Sequence, residues 1–313
     1  MSKSILDKAL ASPKLPTLPA VAVHVLELTR DRDVDLKELA AVIRHDQALA
    51  TKVLRTVNSS YYGLSRPCVT IHQALIYLGV NTVKTIALGF TLTDSLHDEK
   101  SGPAFDFVAY WRRALHSAAA AREIALMTRI CAPEEAFLAA LIQDLGMVAM
   151  HRTLGDDYIE VLERAGDDHR RLAPLEEREL GVDHGEVGAV IAERWGLPAP
   201  LAQGVRFHER ADAAPEPWRS LARVIELGGI VAESLRRPEI DVAGSVIGRL
   251  ATQWFSLRVD QTRSIVQATS RAAEELSTLF RLRTDEQLQP DQILDAAEEQ
   301  LTQHQIEMER RTE

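Results

Sequence analysis

Apolar residues recur every three or four positions along most of the chain, and strict alternation of apolar and polar residues is short and rare. A period near 3.6 predicts amphipathic helices rather than half-buried strands. Residues 1–14 read as a short helix or arm, after which Pro16 and Pro19 punctuate the chain. Ala20–Leu28 resumes the helical pattern. Asp35 is placed as an N-cap, with Glu38 three residues on and Leu36, Leu39, Ala40 and Ile43 on one face. A second helix is expected over Ala48–Val57. Thr70 and Gln73 form a capping box for a helix that ends near Leu78–Gly79. Asn81 is expected to cap the next helix, which runs to about Phe90. Up to that point the chain reads as a compact bundle of short helices.

The polar run 97–104 breaks the pattern and marks a lobe boundary. Longer helical segments are expected over 105–129, 134–150, 156–165, 174–180, 184–195, 198–208 and 217–236. Gly155, Gly166, Gly181 and Gly196 mark turns between several of them. A further pair spans 243–257 and 260–281. A polar break at 283–290 precedes a charged last helix, 291–311, with Ile293, Leu294, Ala297 and Leu301 as its apolar stripe. The expected organisation is an arm (1–14), a first helical lobe (15–96), a second helical lobe (97–250) and a C-terminal extension or connector (251–313). No repeat at solenoid spacing interrupts it.

Composition narrows the function classes. The chain has 313 residues, 46% hydrophobic and only 5% aromatic, which suits an all-α core built on Ala and Leu. Its formal net charge of −10 argues against sequence-independent nucleic-acid binding, which needs clustered Lys and Arg. Asp33–Ser60 superficially suggests a DNA-binding helix pair, but its second helix carries only Lys52 and Arg55 as cations. Cys68 and Cys131 have no C-x-x-C spacing, so two free thiols are expected. No stretch approaches the ~18 apolar residues of a membrane span, and Met1–Leu10 has no apolar signal core. A cytoplasmic location is the expectation.

Candidate chemistry lies in the second lobe, at His116, Gln143-Asp144, His184 and His208. Imidazoles and a carboxylate delivered from several helices can hold a metal that activates water against a phosphoester. Spacing alone does not select that reading over buried histidines with ordinary partners. Segments 136–151 and 174–210 resemble the HD superfamily of metal-dependent phosphohydrolases. In that family a His-Asp pair supplies adjacent ligands, whereas here Gln143 precedes Asp144. The family's later Asp is matched by Gly229, in Val224-Ile225-Glu226-Leu227-Gly228-Gly229. His116, His184 and His208 fall at places that resemble other family ligands. With an amide and a glycine at two ligand positions, Asp144 reads as a relic ligand or as a carboxylate that hydrogen-bonds a neighbour such as His116.

The first lobe carries a second resemblance. Leu15-Pro16-Thr17-Leu18-Pro19-Ala20-Val21, Ile43-Arg44-His45-Asp46-Gln47-Ala48-Leu49, Leu54–Gly63 and Ile71–Gly79 follow one another as they do in the HDOD family, the non-catalytic relatives of HD hydrolases. Asn58-Ser59-x-Tyr61-Tyr62 is the most distinctive stretch. Asn58 and Ser59 suit bonding to open groups at a helix end, and Tyr61 and Tyr62 suit inward packing. The alternative is a docking loop over 58–66. The resemblance implies a two-lobed all-α module of bacterial signal transduction, with no catalytic residue, no metal and no cofactor. It further implies a signalling-protein partner, or a cyclic dinucleotide or nucleotide ligand. The rival readings are a metal-dependent phosphohydrolase using His116, Asp144, His184 and His208, and a nucleotide sensor using the former catalytic pocket.

Overall fold

A computed structural model describes residues 5–12, 15, 17–30, 33–96, 105–166, 168–236 and 241–279. Its described residues form α-helices, two short 3-10 turns and connecting loops, without strands. The N-terminal helices are α1 (Ile5–Ala11), α2 (Ala20–Leu28), α3 (Leu36–His45), α4 (Gln47–Val57), α5 (Ile71–Leu78) and α6 (Val80–Leu96), of which α1 packs against helices much later in the chain. Their caps follow the sequence. Asp35 accepts from the Lys37 and Glu38 amides, and Asp46 caps α4 through Leu49 N–H. Thr70 accepts from Gln73 N–H, while the Gln73 side chain reaches back to Val69 N–H, one residue beyond the usual box.

Asn81 does not cap a helix. Gly79, at φ 85°, turns the chain within one residue, so α6 begins at Val80 and Asn81 lies in its first turn. That helix also continues past Phe90, because Leu92 and Leu96 extend its buried face.

The later helices are assembled around α7 (Phe107–Thr128), whose residues Ala114–Ala121 are all buried. Against it pack α8 (Pro133–Leu141), α14 (Arg219–Arg236) and α16 (Val259–Leu279). The remaining helices are α9 (Leu145–Leu154), α10 (Asp156–Ala165), α11 (Leu172–Leu180), α12 (His184–Arg194), α13 (Ala199–Phe207) and α15 (Asp241–Phe255). The segment 134–150, expected as one helix, is two. The break falls at Ile142–Asp144, and it turns Asp144 inward instead of leaving it on a continuous helical face. One continuous apolar core runs from Ala22 and Val25 in α2 to Leu276 in α16. The last described helix packs against both α7 and α4. The expected break at 97–104, the polar run 283–290 and the helix 291–311 lie outside the described residues.

Two glycines set the distance between α9 and α12. A Cβ on Gly146 would lie 1.9 Å from the His184 carbonyl oxygen and 2.8 Å from Gly188 N, all of it backbone that cannot step aside. A Cβ on Gly188 would lie 2.9 Å from Gly146 N. This close crossing holds the start of α12, and hence His184, beside Asp144. Gly146→Ala is expected to destabilise the fold by about 3 kcal/mol or more, the upper end of overpacking costs. Urea denaturation of the variant against the parent chain measures it, and an unchanged midpoint would contradict the crossing.

Candidate functional site, a buried histidine and carboxylate centre

Asp144 occupies the N-cap position of α9, yet its side chain caps nothing. It is 1% exposed and turns instead into the interior. Oδ2 accepts from Arg113 Nε at 3.0 Å. Three imidazole nitrogens surround Oδ1: His169 Nε2 at 3.3 Å, His184 Nε2 at 3.5 Å and His208 Nε2 at 3.2 Å. His184 Nε2 and His208 Nε2 face one another at 3.1 Å. Asp144, His169, His184 and His208 thus each offer one ligand atom, all within 4.8 Å of one another.

Each histidine is placed by its own segment. His184 is the first residue of α12, which Asp183 caps through Glu186 N–H. Its backbone N–H and its Nδ1 both meet Glu176 Oε2 of α11, at 2.8 and 2.6 Å. Tyr158 of α10 donates to the other oxygen of Glu176 at 2.5 Å. His208 ends α13, and its Nδ1 donates to the Val205 carbonyl at 2.6 Å. His169 comes from the 3-10 turn between α10 and α11.

Arg113 forms the other half of the centre. Beyond Asp144, its guanidinium meets Glu209 at 3.4 Å and Glu233 at 3.5 Å. His169 Nε2 also lies 3.2 Å from Glu209 Oε1. Burial alone would raise the Asp144 carboxyl, but the charges of Arg113 and His169 hold it well below the usual range. Glu209 is held at about 2, its burial outweighed by His169, His208 and Arg113. Burial opposes charge on His184 as well, and Glu176 with Asp144 overcomes it, so that imidazole is raised well above its ordinary value.

The sequence candidates separate in space. Asp144, His184 and His208 come together. Gln143 lies beside them, its amide nitrogen 3.5 Å from both Ser117 Oγ and Asp144 Oδ2. Gly229 faces the same spot, since a Cβ there would lie 3.5 Å from Arg113 Nη2 and 3.6 Å from Gln143 Nε2. Gln143 and Gly229 therefore both lie beside the centre, Gly229 against the guanidinium itself. His116 is fully buried on α7 but stands outside the four-residue cluster, and Asp144 takes its partners elsewhere. Sequence reasoning missed His169, Arg113, Glu176, Glu209 and Glu233. The only local signal for His169 was a polar turn, Asp168-His169-Arg170-Arg171, between two helices.

Two clefts open on either side of this centre. One of about 200 Å³ is lined by Tyr110, Arg113, Asp144 and His169, and one of about 180 Å³ by Arg113, His169, Glu209 and Glu233. Arg113 and His169 form the wall common to both.

The motif in the first lobe is engaged internally. The Asn58 side chain pairs with the backbone of Cys68, donating to its carbonyl at 2.8 Å and accepting its N–H at 2.7 Å, and so closes the 58–68 loop. It does not serve its own helix end. The Ser59 carbonyl, rather than its hydroxyl, accepts from Tyr62 and Gly63 N–H. Arg122 of α7 lies over the Tyr61 and Tyr62 rings at 4.7 and 5.4 Å, and Ser60 donates to Glu275 of α16 at 2.8 Å. Cys68 and Cys131 are free thiols. Among the described residues no helix is long and apolar enough to cross a membrane.

Fold and sequence together identify the family. The chain belongs to the HDOD domain family, whose model matches residues 15–211. An HDOD domain protein of unknown function from Geobacter sulfurreducens is similar in fold, with TM-score 0.71 and 22% identity over 89% of this chain and 98% of that one. A protein of Shewanella amazonensis SB2B, provisionally named a phosphohydrolase, has TM-score 0.70 and 22% identity over the same shares. At these identities the likeness is one of fold. An uncharacterised protein of Treponema pallidum (strain Nichols) is 27% identical over 228 residues, which cover 71% of this chain. The chain spans 42% of that relative's length.

Two measurements follow from these contacts. Asn58→Ala leaves the N–H and C=O of buried Cys68 without partners and is expected to cost about 1–3 kcal/mol in urea denaturation. Burial pushes the Glu226 carboxyl up to about 7, although Ala211 N–H bonds to it. A folded value above the ordinary carboxylate value stabilises at low pH, and that stability is lost as pH rises toward 7 and beyond. Glu226→Gln, which stays neutral, is therefore expected to match the parent at pH ~4.5 and exceed it at pH ~8. Equal midpoints at both pH values would refute the assignment.

Proposed function

We propose that this chain is a regulatory module of bacterial signal transduction that does not hydrolyse phosphoesters. The observation that carries the reading is the Arg113 guanidinium. Held by Asp144, Glu209 and Glu233, it lies near Gln143 and Gly229, which by resemblance stand where the HD pair's histidine and the later aspartate would be. A fixed cation in that place is charge-balanced by the protein, cannot be exchanged and brings no bound water to be activated. Asp144 Oδ2, Glu209 and Glu233 are paired with it, so an ion placed beside Gln143 and Gly229 would have to displace a buried, thrice-paired arginine.

The clefts beside it support the same reading. At about 200 and 180 Å³ each falls below the ~300–1,000 Å³ of sites that enclose drug-sized ligands. A cyclic dinucleotide would need both, with Arg113 and His169 moved out of the way. Signal output would then run through helix packing: α7 carries Arg113 at one end and, through Arg122, holds the Tyr61–Tyr62 loop of the first lobe at the other. A partner protein on the helical surface is the expected reader, and Val69, just before α5, and Ile76 and Tyr77, within it, stand exposed.

The rival is a phosphohydrolase, favoured by the convergence of Asp144 with three histidines. Turnover separates the two. Purified protein supplied with Mg²⁺, Mn²⁺, Fe²⁺ or Zn²⁺ is expected to leave cyclic dinucleotides and an activated phosphodiester intact. Hydrolysis that disappears in Asp144→Ala, with the variant still folded by circular dichroism, would establish the enzyme and end this proposal.

A further inference from the structure

We propose that the exposed apolar stripe of α5 is the docking site for residues 291–301 of the same chain, which cover it as an acidic amphipathic helix. Under the regulatory reading, on which the role of this contact rests, a signalling partner reaches the stripe only when that segment leaves it.

The stripe is continuous. α5 turns Ile71, Ala74 and Leu75 into the core. On its other side Ile76 and Tyr77 are 57% and 54% exposed, and Val69, just before the helix, is 73% exposed. The Gln73 side chain accepts from Val69 N–H at 2.9 Å and stands one turn before Ile76 and Tyr77, so it joins the three into one row. Single apolar side chains on a surface need no partner. A row of them along one helix offers the contact that the apolar face of another helix fills.

The charges of the two segments are complementary. In a chain of net charge −10, Gln47–Thr93 contains no Asp or Glu, and its cations are Lys52, Arg55, Arg66 and Lys84. Arg66 is exposed three residues before Val69. Thr284–Glu309 is the reverse, with eight Asp and Glu and no Lys or Arg. Opposite charge around an apolar contact fixes its register and selects its partner.

Position and length agree with this pairing. Ser60 donates to Glu275 one turn before Leu279, and Asn58 holds Cys68 to the same loop, so α16 ends beside the segment that leads into Val69. Residues 280–290 can then reach up to about 36 Å if extended. Ile293, Leu294, Ala297 and Leu301 recur at helical spacing. As a helix, Ile293–Leu301 would measure about 12 Å, the same as the 8 residues of α5. A helix this short is marginal in water by itself, so its apolar stripe needs a surface to rest on.

The test uses the full chain with photoreactive p-benzoylphenylalanine in place of Tyr77, whose exposed side chain leaves the core undisturbed. Irradiation of dilute protein is expected to join position 77 to residues 291–301 of the same chain, as read by mass spectrometry of the digest. The product should be lost in Leu294→Glu/Leu301→Glu. Hydrogen exchange reads the contact without the probe. Amides of 291–301 should be protected in the parent and lose that protection in Ile76→Glu/Tyr77→Glu, while α7 keeps its own. A product of twice the chain mass would assign the stripe to a second copy and overturn the proposal. So would cross-links that miss 291–301, a product unchanged by Leu294→Glu/Leu301→Glu, or exchange of 291–301 at the free-peptide rate in the parent. None of these readouts involves turnover, so a hydrolytic chain would end the regulatory reading and leave the contact standing.

Discussion

A carboxylate buried to 1% exposure must be paid for by its surroundings, and Asp144 organises the second lobe around that requirement. Taking an ion of this kind out of water costs several kcal/mol even after the protein relaxes, unless opposite charge and donors meet it. Arg113 meets one oxygen and three imidazoles meet the other. Those groups need partners in turn, which is why Glu209, Glu233 and Glu176 are buried or nearly so beside them. The result is a network in which each charge is tolerable only because the others are present.

Such a network constrains the backbone as much as the backbone constrains it. Asp144 can enter the core only because the chain breaks between α8 and α9. His184 can reach it only because Gly146 and Gly188 let α9 and α12 approach to backbone contact. Tyr158 and Glu176, from two further helices, then fix the far nitrogen of His184. A centre drawing on α7, the α8–α9 break, α11, α12, α13 and a 3-10 turn holds one helical arrangement against its alternatives.

The first lobe achieves its own closure by simpler means. Asn58 substitutes for a strand neighbour at Cys68, and the loop it closes presents two tyrosine rings to Arg122. Through that contact, and through Ser60 to Glu275, the lobe rests on α7 and α16, the same α7 that carries Arg113. The most distinctive stretch of the sequence thus packs on α7 and α16.

Helix positions, most caps, the free thiols and the family were legible in the sequence, because period, N-cap residues and motif order are local properties. Asp144, His184 and His208 were also legible as candidates, since each stands at a helix terminus in a recognisable motif. The identity of their partners was not. His169 and Arg113 lie 25 and 31 residues from Asp144 in sequence, with no spacing that ties them to it, and nothing in the sequence singles out Glu209 or Glu233. Only the tertiary structure decided that Arg113 lies beside Gln143 and Gly229, because which side chains share a buried volume is fixed by how helices cross, and the crossing depends on contacts far apart along the chain.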